Sequence, residues 1–187
     1  MDDLLVNRMV RAAKLEVALY EEVEADATAT NQALMVVVIA AAAAAISGAI
    51  GGLLTGGIKG FFLGLIVPPL GMIVGYYLWA YLTYFIGVNL FGGTADVGEM
   101  LRTIGFAHTP RILGIVGFIP CLGWIISFIG SVWALVASVL AVRQALDFDT
   151  GKAIATCIIG WIVAFILTFV VAAIFGIGAA GISAITG

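Results

Sequence analysis

Charge is what this chain has least of. Of its 187 residues 10% are charged and 63% hydrophobic, where a soluble domain carries about a quarter charged residues. Such a chain cannot cover an apolar core with polar surface, whereas a bilayer requires no such cover. The net charge of −3 leaves no basic surface for nucleic acid. The acidity is local, since seven of the eleven carboxylates precede Asn31. A single histidine, His108, excludes bis-histidine haem ligation within the chain and supplies a metal site poorly. Cys121 and Cys157 lie in separate apolar stretches, without a CxxC or zinc-type spacing, and read as small core residues. There is no P-loop, dinucleotide fingerprint or nucleophile elbow. No catalytic residue, cofactor or metal ligand is therefore assigned, and the chain is read as a non-enzyme. No cleavable signal peptide is expected either: the first apolar run begins at Ala33, behind an acidic segment.

What the chain does have is apolar length. A helix crossing the hydrocarbon core needs roughly 20 apolar residues. Residues 33–54, with six consecutive alanines at 40–45, meet this, as do 61–90, 124–146 and 153–180. The second run is longer than needed and should tilt or kink at Pro68-Pro69. Residues 110–123 form a shorter fifth candidate, either a short tilted span or a re-entrant segment. Charge supports its crossing. With five spans and a cytoplasmic N-terminus, Arg8, Arg11, Lys14, Arg102, Arg111, Arg143 and Lys152 lie inside and only Lys59 outside, as the positive-inside rule requires. The fold class is an all-α membrane protein: a five-transmembrane-helix bundle over residues 31–187, preceded by an N-terminal amphipathic surface helix and linker over residues 1–30.

Local signals agree with that layout. Asp96-Val97-Gly98-Glu99 has capping-box spacing and should start a short helix, 97–108, on the inner surface. Thr109-Pro110 reads as N-cap and first-turn proline of the third span. Asp149-Thr150 can cap the fifth, and Arg143 suits the C-terminal end of the fourth. Gly48, Gly52, Gly56, Gly60 and Gly64 recur every fourth residue. In lipid, helices associate where small residues let backbones approach. Part of this series must be a turn, which leaves Gly48/Gly52 and Gly60/Gly64 as seams, with Gly71/Gly75 and Gly130/Ala134/Ser138 as further ones. Packing within the chain is the plain explanation, and a partner interface the other. Serines 47, 127, 131, 138 and 183 read as packing residues. Tyr76, Tyr77, Trp79, Tyr81 and Tyr84 are too clustered to be only interfacial anchors.

Residues 3–24 lack the apolarity to span. Val6, Val10, Val17 and Tyr20, with Leu5, Met9, Ala13, Leu19 and Val23, fill about half of a helical wheel. Arg8, Arg11, Lys14, Glu21 and Glu22 lie opposite. This predicts a helix on the membrane surface, on a partner, or folded against its own bundle. At the inner surface Asp96, Glu99, Arg102, His108, Arg111, Arg143, Asp147, Asp149 and Lys152 cluster. They suit a headgroup or partner site, or equally the capping and topological tasks of helix ends. The span centres carry no charge, which disfavours proton-coupled transport.

Phe91-Gly92-Gly93-Thr94, followed by Met100-Leu101-Arg102-Thr103-Ile104-Gly105-Phe106-Ala107-His108-Thr109-Pro110, resembles the middle of YIP1-family membrane proteins: a Gly-Gly turn, a Leu-Arg helix and a proline-started span. Trp133 to Leu140 and Thr150-Gly151-Lys152-Ala153 are similar to that family's later tryptophan-containing span and the start of its last helix. The resemblance covers about residues 30–178 and implies five helices. Eukaryotic members are linked to Golgi trafficking and Rab GTPases. Their Asp-Leu-Tyr-Gly-Pro signature and long cytosolic N-terminal domain are absent here. The resemblance therefore implies a compact prokaryotic-type member in the plasma membrane.

The leading functional expectation is a non-enzymatic membrane scaffold or accessory subunit. It binds other integral membrane proteins, or a larger membrane complex, within the lipid bilayer. The interface residues expected from sequence are Val6, Val10, Val17, Tyr20, Gly60, Gly64, Gly71, Gly75, Arg102, His108 and Arg111. The alternatives are a small-solute or lipid transporter or channel, suggested by Pro68-Pro69 and the glycine-rich second span, and a membrane-organising protein built on the surface helix.

Overall fold

Backbone polar groups in a bilayer must be satisfied within the chain, which favours helices, and every regular element among the described residues is helical. A computed structural model describes the backbone of residues 2–186 and the side chains of 4–170 and 173. The elements are α1 (Asp2–Ala13), α2 (Val17–Ala25), α3 (Ala29–Phe91), α4 (Val97–Ala107), a 3₁₀ helix (Thr109–Val116), α5 (Leu122–Ala145) and α6 (Thr150–Thr186). Among the described residues α3, α5 and α6 are long and apolar enough to cross a membrane. Even in the best covered of these the most apolar stretch is only 39% buried, so most of its surface is left for lipid.

The first of the three is folded on itself. Gly57 interrupts α3 at φ 60° and ψ −148°, a conformation open essentially to glycine alone. The arms on either side, 29–56 and 58–91, run back along each other. A Cβ at Gly48 would collide with the Gly64 carbonyl, and one at Gly52 with the Gly60 carbonyl. The four-residue glycine series is thus a turn flanked by two halves of one seam, both inside the chain. The expected kink at Pro68-Pro69 is not where α3 breaks: the backbone keeps helical angles there. A proline removes a hydrogen bond but need not end a helix that its neighbours hold.

The N-terminal segment is two helices rather than one. Leu15 takes φ +60°, and the chain turns between Ala13 and Val17, so the wheel drawn over 3–24 does not apply across the break. Leu5, Ala12, Leu19 and Val23 close over Ala29, Ala33, Val36 and Phe106. Arg8, placed by the wheel on the polar face, is 5% exposed. It bonds Glu22 at 2.9 Å, Asp26 at 2.9 Å and Gln32 at 2.8 Å.

This cover changes the place of α4. The expected capping box is present, with Asp96 accepting from the Glu99 amide at 2.8 Å and Glu99 accepting from the Asp96 amide at 2.6 Å. The helix is also buried within the protein. Met100 and Ile104 pack on Ala137, Ala141 and Val142 of α5 and on Leu146 just beyond it, while Gly105 lets α4 press onto Ala33. Beyond it the third expected span begins as a 3₁₀ helix. Thr109 does not cap it: its hydroxyl donates back to the Phe106 carbonyl at 2.8 Å. Asp149 does begin α6, accepting from the Lys152 amide at 3.1 Å. Cys157 is buried as expected, but Cys121 is exposed, at φ +61° just before α5. It lies in the connection between the 3₁₀ helix and α5, outside either helix. The side chain of Ser183 lies outside the described residues.

Candidate functional site

The inner polar cluster mostly serves the fold. Arg102, on α4, is 8% exposed, and its Nε donates to the Val23 and Glu24 carbonyls at 3.0 and 3.1 Å. A second donor also reaches Glu24 O. It thereby satisfies carbonyls at the end of α2, which have no partner within that helix. Asp147 accepts from Thr94 at 2.8 Å, and the Lys152 ammonium lies 5.5 Å from the centre of the Phe148 ring. Burial pushes the Glu24 carboxyl up to about 7; the Asp147 and Glu99 carboxylates add to this, and Arg102 opposes it.

Apart from Arg102, the residues expected at an interface divide into three groups. Gly60 and Gly64 are consumed by the α3 seam. Tyr20 is fully buried and Val17 half-buried, but Val6 and Val10 point outward at 57% and 46% exposure. Gly71, Gly75, His108 and Arg111 come together around one cavity of about 350 Å³. A Cβ at Gly71 or Gly75 would meet nothing within 4 Å, so this seam of small residues is left open.

Arg111 is the residue whose place sequence misjudged. It was expected at the inner surface; instead it borders Ala44, Ser47 and Gly48, the central stretch of the first arm of α3. Hydropathy fixes the edges of an apolar run but not how deep a neighbouring element sinks; buried α4 ends just before Arg111, which stays exposed on the wall of the bundle and lines its cavities. A second cavity, of about 310 Å³, lies on its other side and adds Gly114, Gly117 and Ser127. Met72, Arg111 and Ser131 line both. The ion pairs among the described residues all lie in the N-terminal segment, so no carboxylate there neutralises Arg111. Beside it, His108 Nδ1 sits 2.9 Å from the Ile104 carbonyl oxygen. That oxygen can only accept, so Nδ1 carries the proton of the neutral ring and Nε2 is the acceptor. The ring stands edge-on to Tyr76, centroids 5.6 Å apart, and the Tyr76 hydroxyl donates to the Leu101 carbonyl at 2.8 Å.

Trp79, Trp161 and the serines were not assigned to a site from sequence. Trp79 and Trp161 face one another at 6.1 Å and line the larger cavity. Ser127, Ser131 and Ser138 are spaced by four and seven residues on α5, which puts them on one helix face; that spacing was the readable signal. No group of histidine, cysteine and carboxylate side chains able to hold a metal is found among the described residues.

Nothing matches the chain among curated proteins or among solved structures. The family model of the Yip1 domain matches residues 18–180, taking in α2, the folded α3, buried α4, the 3₁₀ segment, α5 and most of α6. The chain is therefore a member of the Yip1 family of membrane proteins.

Proposed function

We propose that this Yip1-family protein is a non-enzymatic scaffold or accessory subunit that holds other membrane proteins. Membership of the family implies a membrane-associated, non-catalytic role. The observation that carries the finer reading is the orientation of α1. Arg8 is locked onto Glu22, Asp26 and Gln32, and Leu5 and Ala12 are buried. Val6 and Val10, one turn apart, are thereby held outward on a fixed helix. Two apolar side chains on a clamped helix cost little entropy to bind, which suits a partner contact.

The layout that goes with this reading has five passages. The arms of α3 supply two, α5 and α6 one each, and the 3₁₀ segment the short one. At a rise of about 2.0 Å per residue, eight 3₁₀ residues reach about 16 Å rather than the 12 Å of an α-helix, which helps a short segment cross. The N-terminus is cytoplasmic and the C-terminus outside, in a prokaryotic-type plasma membrane, as the positive charges favour. A photo-crosslinking amino acid at Val6 or Val10, activated in native membranes, should give a discrete protein adduct. Adducts to lipid alone at both positions would count against the scaffold.

A further inference from the structure

We infer that Arg111 and the two cavities beside it form a binding site for the phosphate group of an anionic lipid, reached from within the bilayer. Arg111 is exposed beside Ala44 and Gly48 on the wall of the bundle; there an arginine is costly in hydrocarbon unless its charge is met, and no carboxylate among the described residues meets it. Its guanidinium is a planar fork of five N–H donors, matched in shape to two phosphate oxygens. Ser131 and Ser138 donate their hydroxyl hydrogens to the Ser127 and Ala134 carbonyls, each at 2.8 Å. Ser47 and Ser127 make no such bond among the described residues, and both line the smaller cavity with Arg111. They are the donors left for further phosphate oxygens. Cavities of about 310 and 350 Å³ each hold far more than the ~30 Å³ share of one water, so a headgroup fits where a lone ion would rattle. A cation is excluded by the arginine itself.

The source of the phosphate is read as lipid because the site lies between spans and its rim includes exposed Pro68, Gly71 and Ser131. The full chain, purified in a neutral detergent, is titrated with phosphatidylglycerol, diacylglycerol and inorganic phosphate, and bound species are counted by native mass spectrometry. Wild type should bind one phosphatidylglycerol in preference to diacylglycerol. R111Q should weaken it by about tenfold or more, and R111K by less, because the two-oxygen contact is lost but the charge kept. G114V puts bulk into the smaller cavity, which Gly114 lines, at a position where a Cβ meets nothing within 4 Å; it should weaken binding similarly and keeps the test open if R111Q does not fold. Equal phosphatidylglycerol binding by wild type and the folded variants overturns the site. Inorganic phosphate bound in its place overturns the lipid source, and a co-purifying protein that blocks it assigns Arg111 to a partner instead.

Discussion

At Gly48 and Gly64 the missing side chain is itself the interaction, because each backbone occupies the space a Cβ would need. Leucine at either position should force the α3 arms apart and cost about 2 kcal/mol or more, at the upper end of overpacking effects. The same change at Gly71, where a Cβ meets open space, should stay within about 0.5 kcal/mol. Thermal unfolding in detergent separates the two. A second residue-scale outcome concerns Glu24, whose carboxyl is raised from 4.5 to about 7, chiefly by burial. A carboxyl raised in the folded state stabilises fully below its unfolded value, and that contribution is lost as pH rises through the folded one. Thermal stability should therefore increase as pH falls from about 7 towards 4.5, and E24Q should flatten this dependence. A profile unchanged by E24Q would contradict it. Sequence spacing displayed the glycine seam, because close approach needs small residues whatever the neighbours. It could not display Glu24, whose environment is made by Asp147 and Glu99 from distant elements.

Among the elements, α4 depends on what covers it. Its apolar residues reach both the α1–α2 cap and α5, and Arg102 fastens it to the end of α2. The cap in turn rests on Arg8. Its carboxylate partners Glu22 and Asp26 keep 38% and 28% of their side-chain surface, so solvent screens part of each pair. R8Q should cost about 1–2 kcal/mol, between the values for exposed and buried pairs. The loss is local, and it should appear as faster tryptic cleavage after Lys14, beside the strained Leu15, with α5 and α6 still protected. Cleavage no faster than in wild type would remove Arg8 from this role. The capping box of α4 was readable because it is written in four consecutive residues. The break at Leu15 was not, since leucine carries no local preference for positive φ and only the packing of Leu5, Ala12 and Leu19 imposes it. Likewise the apolar pattern of Thr109–Val116 is equally consistent with an α or a 3₁₀ helix.

For the whole molecule, apolar run lengths predicted the long helices α3, α5 and α6 that are able to cross a membrane. Depth was not legible: nothing in the residues around Arg111 tells that it lies beside Ala44. The fold-back at Gly57 and the short 3₁₀ segment together decide whether the chain crosses five times. The native cysteines report on this, because Cys121 is exposed in the turn after the 3₁₀ segment while Cys157 is buried. In sealed vesicles of both orientations, with C121S as control, a membrane-impermeant maleimide should modify the protein from the outer face alone. Labelling from the cytoplasmic face, or from neither, would contradict the five-passage account.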